Sequence, residues 1–198
     1  MKPQQQSATM SGERAKTLNE LEAQFTAISA RAQTLVGSGG KELCMKPPSP
    51  GSWSVTECLQ HLNISADSYF PIWQQVIANA APRKSEMNAP YQADFWGRLL
   101  SWILEPPARI RKKTVLHLEP TERGEIEVVL DEFVERQERI IGTLRRCRGR
   151  AIDQVKIASP VDSRIRYSIW SSFLVNAAHE RRHLWQAEQA LQKLRNGK

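Results

Sequence analysis

Cysteine is scarce in this chain. Cys44, Cys58 and Cys147 are odd in number and fall at no motif spacing. That argues against a disulfide framework and makes a reducing compartment, the cytoplasm, the expected location. No stretch approaches the roughly eighteen consecutive apolar residues of a spanning helix, so no membrane span is expected. A glycine-rich phosphate loop, a GxSxG elbow and an HExxH pair are all missing, which sets aside the nucleotide-binding, serine-hydrolase and zincin patterns that rest on them. Met1 to Arg14 is polar, rich in Gln and Ser, and lacks the apolar stretch of a secretory signal. It is expected to be a disordered tail ahead of one domain over 15–198.

With 40% hydrophobic residues in 198, the chain has enough apolar content for one core. Its net charge of +7 is unevenly spread: residues 136–198 hold 14 Lys/Arg against 5 Asp/Glu, whereas residues 1–135 hold 14 against 16. A basic C-terminal third could attract an anionic partner, or it could simply be a solvated helix face. Its arginines form no stripe with interleaved aromatics, so nucleic acid is not an expected partner.

Four long segments repeat apolar residues at the helical period. The first carries Leu18, Leu21, Phe25, Ile28, Ala32 and Leu35 and is expected to end at Gly37-Ser38-Gly39-Gly40. The second opens at Ser54, where Ser54-Val55-Thr56-Glu57 has the form of a capping box. Each of the two side chains there can satisfy an N–H of the first turn. Val55, Cys58, Leu59, Leu62 and Ala66 supply its stripe, and Pro71 should kink or end it. The third runs from about Thr121 to about Cys147, with Ile126, Val129, Leu130, Phe133, Gln137, Ile140, Ile141 and Leu144 inward. The fourth runs from about Ser163 to Leu194, with Ile165, Ile169, Phe173, Ala177, Ala187 and Ala190 inward. Between the second and third, five prolines punctuate a connector whose Asp94–Leu104 stretch reads as a short helix with Phe95, Leu99, Trp102 and Ile103 on one side. No strand stands out. The expected fold is all-α: a four-helix bundle with long crossover connections and a short extra helix near 94–104.

His179 and His183 lie four residues apart in the fourth helix, so both imidazoles share a face and can ligate one ion. His61 flanks the stripe of the second helix, and side chains of facing helices converge in a bundle core. Three neutral imidazoles with a position left open suit a divalent metal that binds a further ligand. Taken alone, the His179/His183 spacing is more often coincidence or ordinary polar packing, and the alternative for His61 alone is a partly buried ring bonded to a backbone carbonyl. His117, in the connector, has no partner at ligand spacing. Glu57 is accounted for by the capping box, Glu180 points about 100° away from His179 and reads as flanking, and Cys58 reads as a core thiol. The six tryptophans read as core and pocket walls.

The segment Trp53-Ser54-Val55-Thr56-Glu57-Cys58-Leu59-Gln60-His61-Leu62 resembles the W-S-x-x-E-x-x-x-H-L start of the second helix in DinB-like proteins. His179-Glu180-Arg181-Arg182-His183-Leu184-Trp185-Gln186 is similar to the HxxxH segment of their last helix, and the Ser159-Pro160 loop leads into it. The resemblance covers roughly residues 15–194. It implies a four-helix bundle and a metal site on His61, His179 and His183, with nickel, zinc, iron or manganese as the ion. It further implies transfer chemistry with a low-molecular-weight thiol such as bacillithiol, mycothiol or glutathione, thiol-dependent isomerisation, or hydrolysis of small molecules, and a homodimer. No thiol-recognition motif accompanies these residues. The alternative is a non-enzymatic bundle that binds a protein partner or nucleic acid, its metal site structural or vestigial.

Overall fold

A computed structural model describes residues 15–84, 90–107, 118–120 and 124–197. The tail 1–14, His117 and the expected helix start at Thr121 lie outside the described residues. Helix α1 spans Leu18–Met45, α2 Val55–Ile77, α3 Phe95–Leu104, α4 Ile126–Arg146 and α5 Ile169–Arg195. A hairpin of β1 (Lys156–Ala158) and β2 (Arg166–Ser168) precedes α5.

Side-chain pairs between helices give the topology. Arg181 donates to Gln24 at 3.1 Å, Arg31 donates to Glu188 through two bonds of 2.6 Å, and Arg195 donates to the Ser38 carbonyl. All three pairs keep an offset of 157 residues, so α1 and α5 run parallel and in register, with a contact every second turn. Arg145 and Arg148 reach Glu22 near one end of α1, and Lys41 near the other end reaches Glu125 and Glu127, which makes α4 antiparallel to α1. Asn63 and Asp67 of α2 meet Val129 and Arg136 of α4 in the same order, so these two are parallel. Chain direction through the bundle is thus up, down, down, up. Two parallel neighbours in sequence need a long connection, and residues 78–125, which contain α3, supply it.

Part of the basic C-terminal third is paired within the fold. Arg136, Arg145, Arg148, Lys156 and Arg181 pair with Asp67, Glu22, Asp94 and Glu105 from the acidic remainder of the chain. The exposed ones among them contribute roughly 0–1 kcal/mol each, so they set register more than stability.

Most of the expected inward faces are buried. Leu21, Phe25, Leu59, Ile140, Ile169, Phe173 and Ala177 are all fully inaccessible, while Leu130, Ile141 and Ile165 are only partly buried against the core. The capping box forms as read: Ser54 Oγ accepts from Glu57 N at 3.1 Å, and Glu57 Oε2 accepts from Ser54 N at 2.7 Å. Helix α1 departs at the glycine breaker only locally, with Gly40 at φ 70° and ψ 163° and a further helical turn to Met45. Pro71 does not end α2, which continues to Ile77. It sits on the exposed side, where water can serve the carbonyl that the missing N–H leaves free.

Three expectations need correction. The chain does contain strands: Ile157 pairs with Tyr167 in an antiparallel hairpin, too short for a two-residue period to stand out. Consequently α5 starts at Ile169 and not near Ser163, with Ser168 as its cap. Helix α3 is also turned the other way. Its buried residues are Gly97 and Ser101, whereas Phe95 and Trp102 are 61% and 54% exposed. The first half of α5 is buried on every side, and α3 covers the side that the bundle leaves bare. A Cβ on Gly97 would lie 2.2 Å from Ser171 Oγ and 2.3 Å from its Cβ, so the two backbones meet through their smallest residues. Trp96 and Trp102 are therefore outside the core, unlike Trp73 and Trp170.

Candidate metal centre

Helix α2 runs antiparallel beside α5, and this brings His61 to the turn that carries His179 and His183. Imidazole nitrogens of the three lie within 4.8 Å of one another. His61 and His179 face each other, Nε2 to Nε2, at 3.1 Å. Their rings meet edge-on, with centroids 4.4 to 5.0 Å apart. His61 and His183 are buried and His179 is half-buried.

A carbonyl can only accept, so the 2.7 Å contact between His61 Nδ1 and the Leu118 oxygen places a proton on Nδ1. The Nε2 lone pair is left facing His179. This is the outer hydrogen bond that a metal-ligating histidine ordinarily makes. Burial holds the His61 ring below the usual histidine range, the Leu118 bond partly offsetting it. Burial, with His61 and Arg182 nearby, brings His179 down to about 3. The same burial, reinforced by His179, His61 and Arg182, pushes His183 well down. All three are therefore neutral at pH 7, the form that donates a lone pair.

The donor set fits a metal. Two imidazole nitrogens sharing one tetrahedral ion at about 2.0–2.1 Å stand about 3.3 Å apart, close to the 3.1 Å between His61 and His179. His183 Nδ1 is buried without a hydrogen-bond partner, although the Gln186 amide lies near enough to favour the protonated ring. Among the described residues, no carboxylate or thiol joins the cluster. Glu57 is spent on the capping box, and Cys58 is fully buried, its thiol pushed up by burial and by Glu57.

Two features of the site, the Leu118 carbonyl and the burial of Glu180, escaped the sequence, whereas Trp53 is one of the tryptophans read as core and pocket walls. The Leu118 carbonyl comes from the crossover, more than fifty residues from His61, and carries no side-chain signal. The Trp53 ring lies 5.0 Å from His61 and 5.8 Å from His183, centroid to centroid. Glu180 is no ligand, but neither is it a surface flank: it is 1% exposed. Its Oε1 accepts from Gln137 and Asn176, both at 3.1 Å, while Oε2 has no partner. Burial raises its carboxyl to about 8 against the opposing pull of Gln137, Arg181 and Asn176.

An up-down-down-up bundle whose second and last long helices converge three histidines defines a class of histidine-centred helical bundles. The chain belongs to the DinB superfamily, whose family model matches residues 10–187. It is similar in fold to YfiT from Bacillus subtilis, described as a probable metal-dependent hydrolase with an unusual four-helix bundle topology. The two share 13% identity with a TM-score of 0.58, over 98% of this chain and 93% of that one. No curated protein matches the chain.

Proposed function

We propose that this chain is a divalent-metal-dependent enzyme that holds one ion on His61, His179 and His183 and acts on a small molecule, by hydrolysis or by transfer to a low-molecular-weight thiol. The observation that carries the reading is the composition of the cluster: three neutral imidazoles gathered within 4.8 Å and no fourth protein ligand among the described residues. A structural staple would be closed by a fourth side chain, whereas three ligands leave room for a reacting one. A bound divalent ion lowers the pKa of a water or thiol and makes it a nucleophile at neutral pH.

The chain's own groups supply orientation and exclusion of water. Leu118 fixes the His61 tautomer. Burial keeps the rings neutral, and Arg182, close enough to lower both His179 and His183, puts a permanent cation near the centre. That charge favours an anionic nucleophile or substrate there. The described likeness to a probable metal-dependent hydrolase supports hydrolysis; thiol transfer rests on the same activation with a different nucleophile.

Elemental analysis of tag-free protein tests the reading. A stoichiometric divalent metal is expected in the wild-type chain and its loss in His183→Ala, with helical circular dichroism retained. A wild-type chain that neither carries nor takes up Ni2+, Zn2+, Fe2+ or Mn2+ would refute it. The non-enzymatic bundle would then stand, and steeply salt-dependent binding would identify nucleic acid as its partner.

A further inference from the structure

Metal-ligating histidines are usually aimed by a hydrogen bond from the ring nitrogen that does not bind the ion. His61 has such a bond, to Leu118. On His183 the Nδ1 is buried and unpaired, and Gln186 is the polar side chain near the ring. Its ring also meets an indole: Trp53 lies 5.8 Å away with its plane inclined by 31°. The same indole is 5.0 Å from His61 at 47°. One flat side chain thus touches two of the three rings, one from α2 and one from α5, and it reaches both from outside either helix. Trp53 is itself partly buried against the core. It stands immediately before Ser54, whose capping box fixes the start of α2, so its backbone is held where the chain enters the helix.

We propose that Trp53 is a positioning residue of the centre: its ring aims His183, and steadies His61, by packing against both rings at once. Removing the indole frees the His183 ring to turn about its side-chain bonds, and the third ligand then pays rotational entropy when it binds. The geometry calls for a flat ring and not merely for apolar volume, because two rings from different helices rest against one plane. This inference rests on the three histidines being metal ligands.

Co2+ titration of the full chain, followed by visible absorption and calorimetry, tests it with Trp53→Phe and Trp53→Leu. Trp53→Leu is expected to weaken Co2+ binding about tenfold and to shift the absorption band that reports ligand geometry, while Trp53→Phe keeps the band and most of the affinity. Urea unfolding of the metal-free proteins separates this from a loss of fold, since both variants retain apolar volume. Equal behaviour of Phe and Leu at this position, or wild-type affinity in Trp53→Leu, overturns the assignment while leaving the metal site standing. Absence of Co2+ binding by the wild-type chain removes the metal reading and this inference with it.

Discussion

Glu180 offers a sharp test of the electrostatics beside the centre. Its carboxyl is 1% exposed, one oxygen holds two amide donors and the other holds none. Burial raises the group from 4.5 to about 8, so the folded chain keeps this proton across neutral pH while the unfolded chain has lost it. Below pH 4.5 both states are protonated and the group does not bias folding. Between 4.5 and about 8 the folded state holds the extra proton, and its stability falls as pH rises. At about 1.4 kcal/mol per pH unit the whole interval amounts to about 5 kcal/mol, a ceiling that relaxation of the site will lower. Glu180→Gln keeps an acceptor for Gln137 and Asn176 and removes the ionisation. Urea unfolding of chelator-treated wild type and Glu180→Gln should therefore be compared at pH 5, 6.5 and 8. The three imidazoles titrate in both proteins, so the difference between the two curves isolates the carboxyl. Wild type should lose several kcal/mol relative to the variant between pH 5 and 8. Parallel profiles within about 1 kcal/mol would show that the carboxyl ionises freely in the fold.

Other consequences can be checked the same way. Gly97→Ala gains about 1 kcal/mol of helix propensity but forces a Cβ to within 2.3 Å of Ser171. A net loss of about 1–3 kcal/mol is expected, and Ser171→Gly in the same chain should recover part of it; a stabilised single variant would mean that α3 does not sit on α5 as described. Asp94 caps α3 through Gly97 N at 2.8 Å and also accepts from Lys156 Nζ at 2.6 Å and Ser168 N at 2.5 Å. Burial alone would raise its carboxyl, but Lys156 and the two N–H donors outweigh it and hold the group below 3.8. Asp94→Ala should cost about 2 kcal/mol near pH 7, and the gap from wild type should close as the pH drops below 3.8 and Asp94 takes up a proton; thermal melts that differ by the same amount at pH 7 and pH 3 would refute this.

What could be read from the sequence follows the reach of each physical cue. Helices α1, α2, α4 and α5 announce themselves because their buried stripes are long, and Ser54 and Glu57 mark a helix start through bonds only three residues apart. His179 and His183 are legible for the same reason, since a helix alone puts them on one face. Helix α3 is legible as a helix but not in its orientation. Apolar periodicity says which side is greasy, whereas the side that packs is chosen by the bare flank of α5 and by what Gly97 and Ser101 allow. The hairpin that carries Tyr167 to Tyr69, hydroxyl to hydroxyl at 2.7 Å, pairs only three residues per strand and leaves almost no pattern.

The site depends on topology more than on any local pattern. His61 can join the HxxxH pair only because α2 runs antiparallel beside α5, and that placement follows from the long crossover that lets α2 and α4 lie parallel. The same crossover returns to the centre through Leu118, whose carbonyl sets the His61 tautomer, and its helix α3 ends where Arg181 and Arg182 of the HxxxH turn reach Glu105 and the Ile103 carbonyl. Both flanks of the connector are therefore tied to the turn or the ring that carries a ligand. The parallel α2–α4 pair and the histidine cluster are, in this chain, consequences of one connection. A shortened crossover would remove the cluster before it removed the bundle.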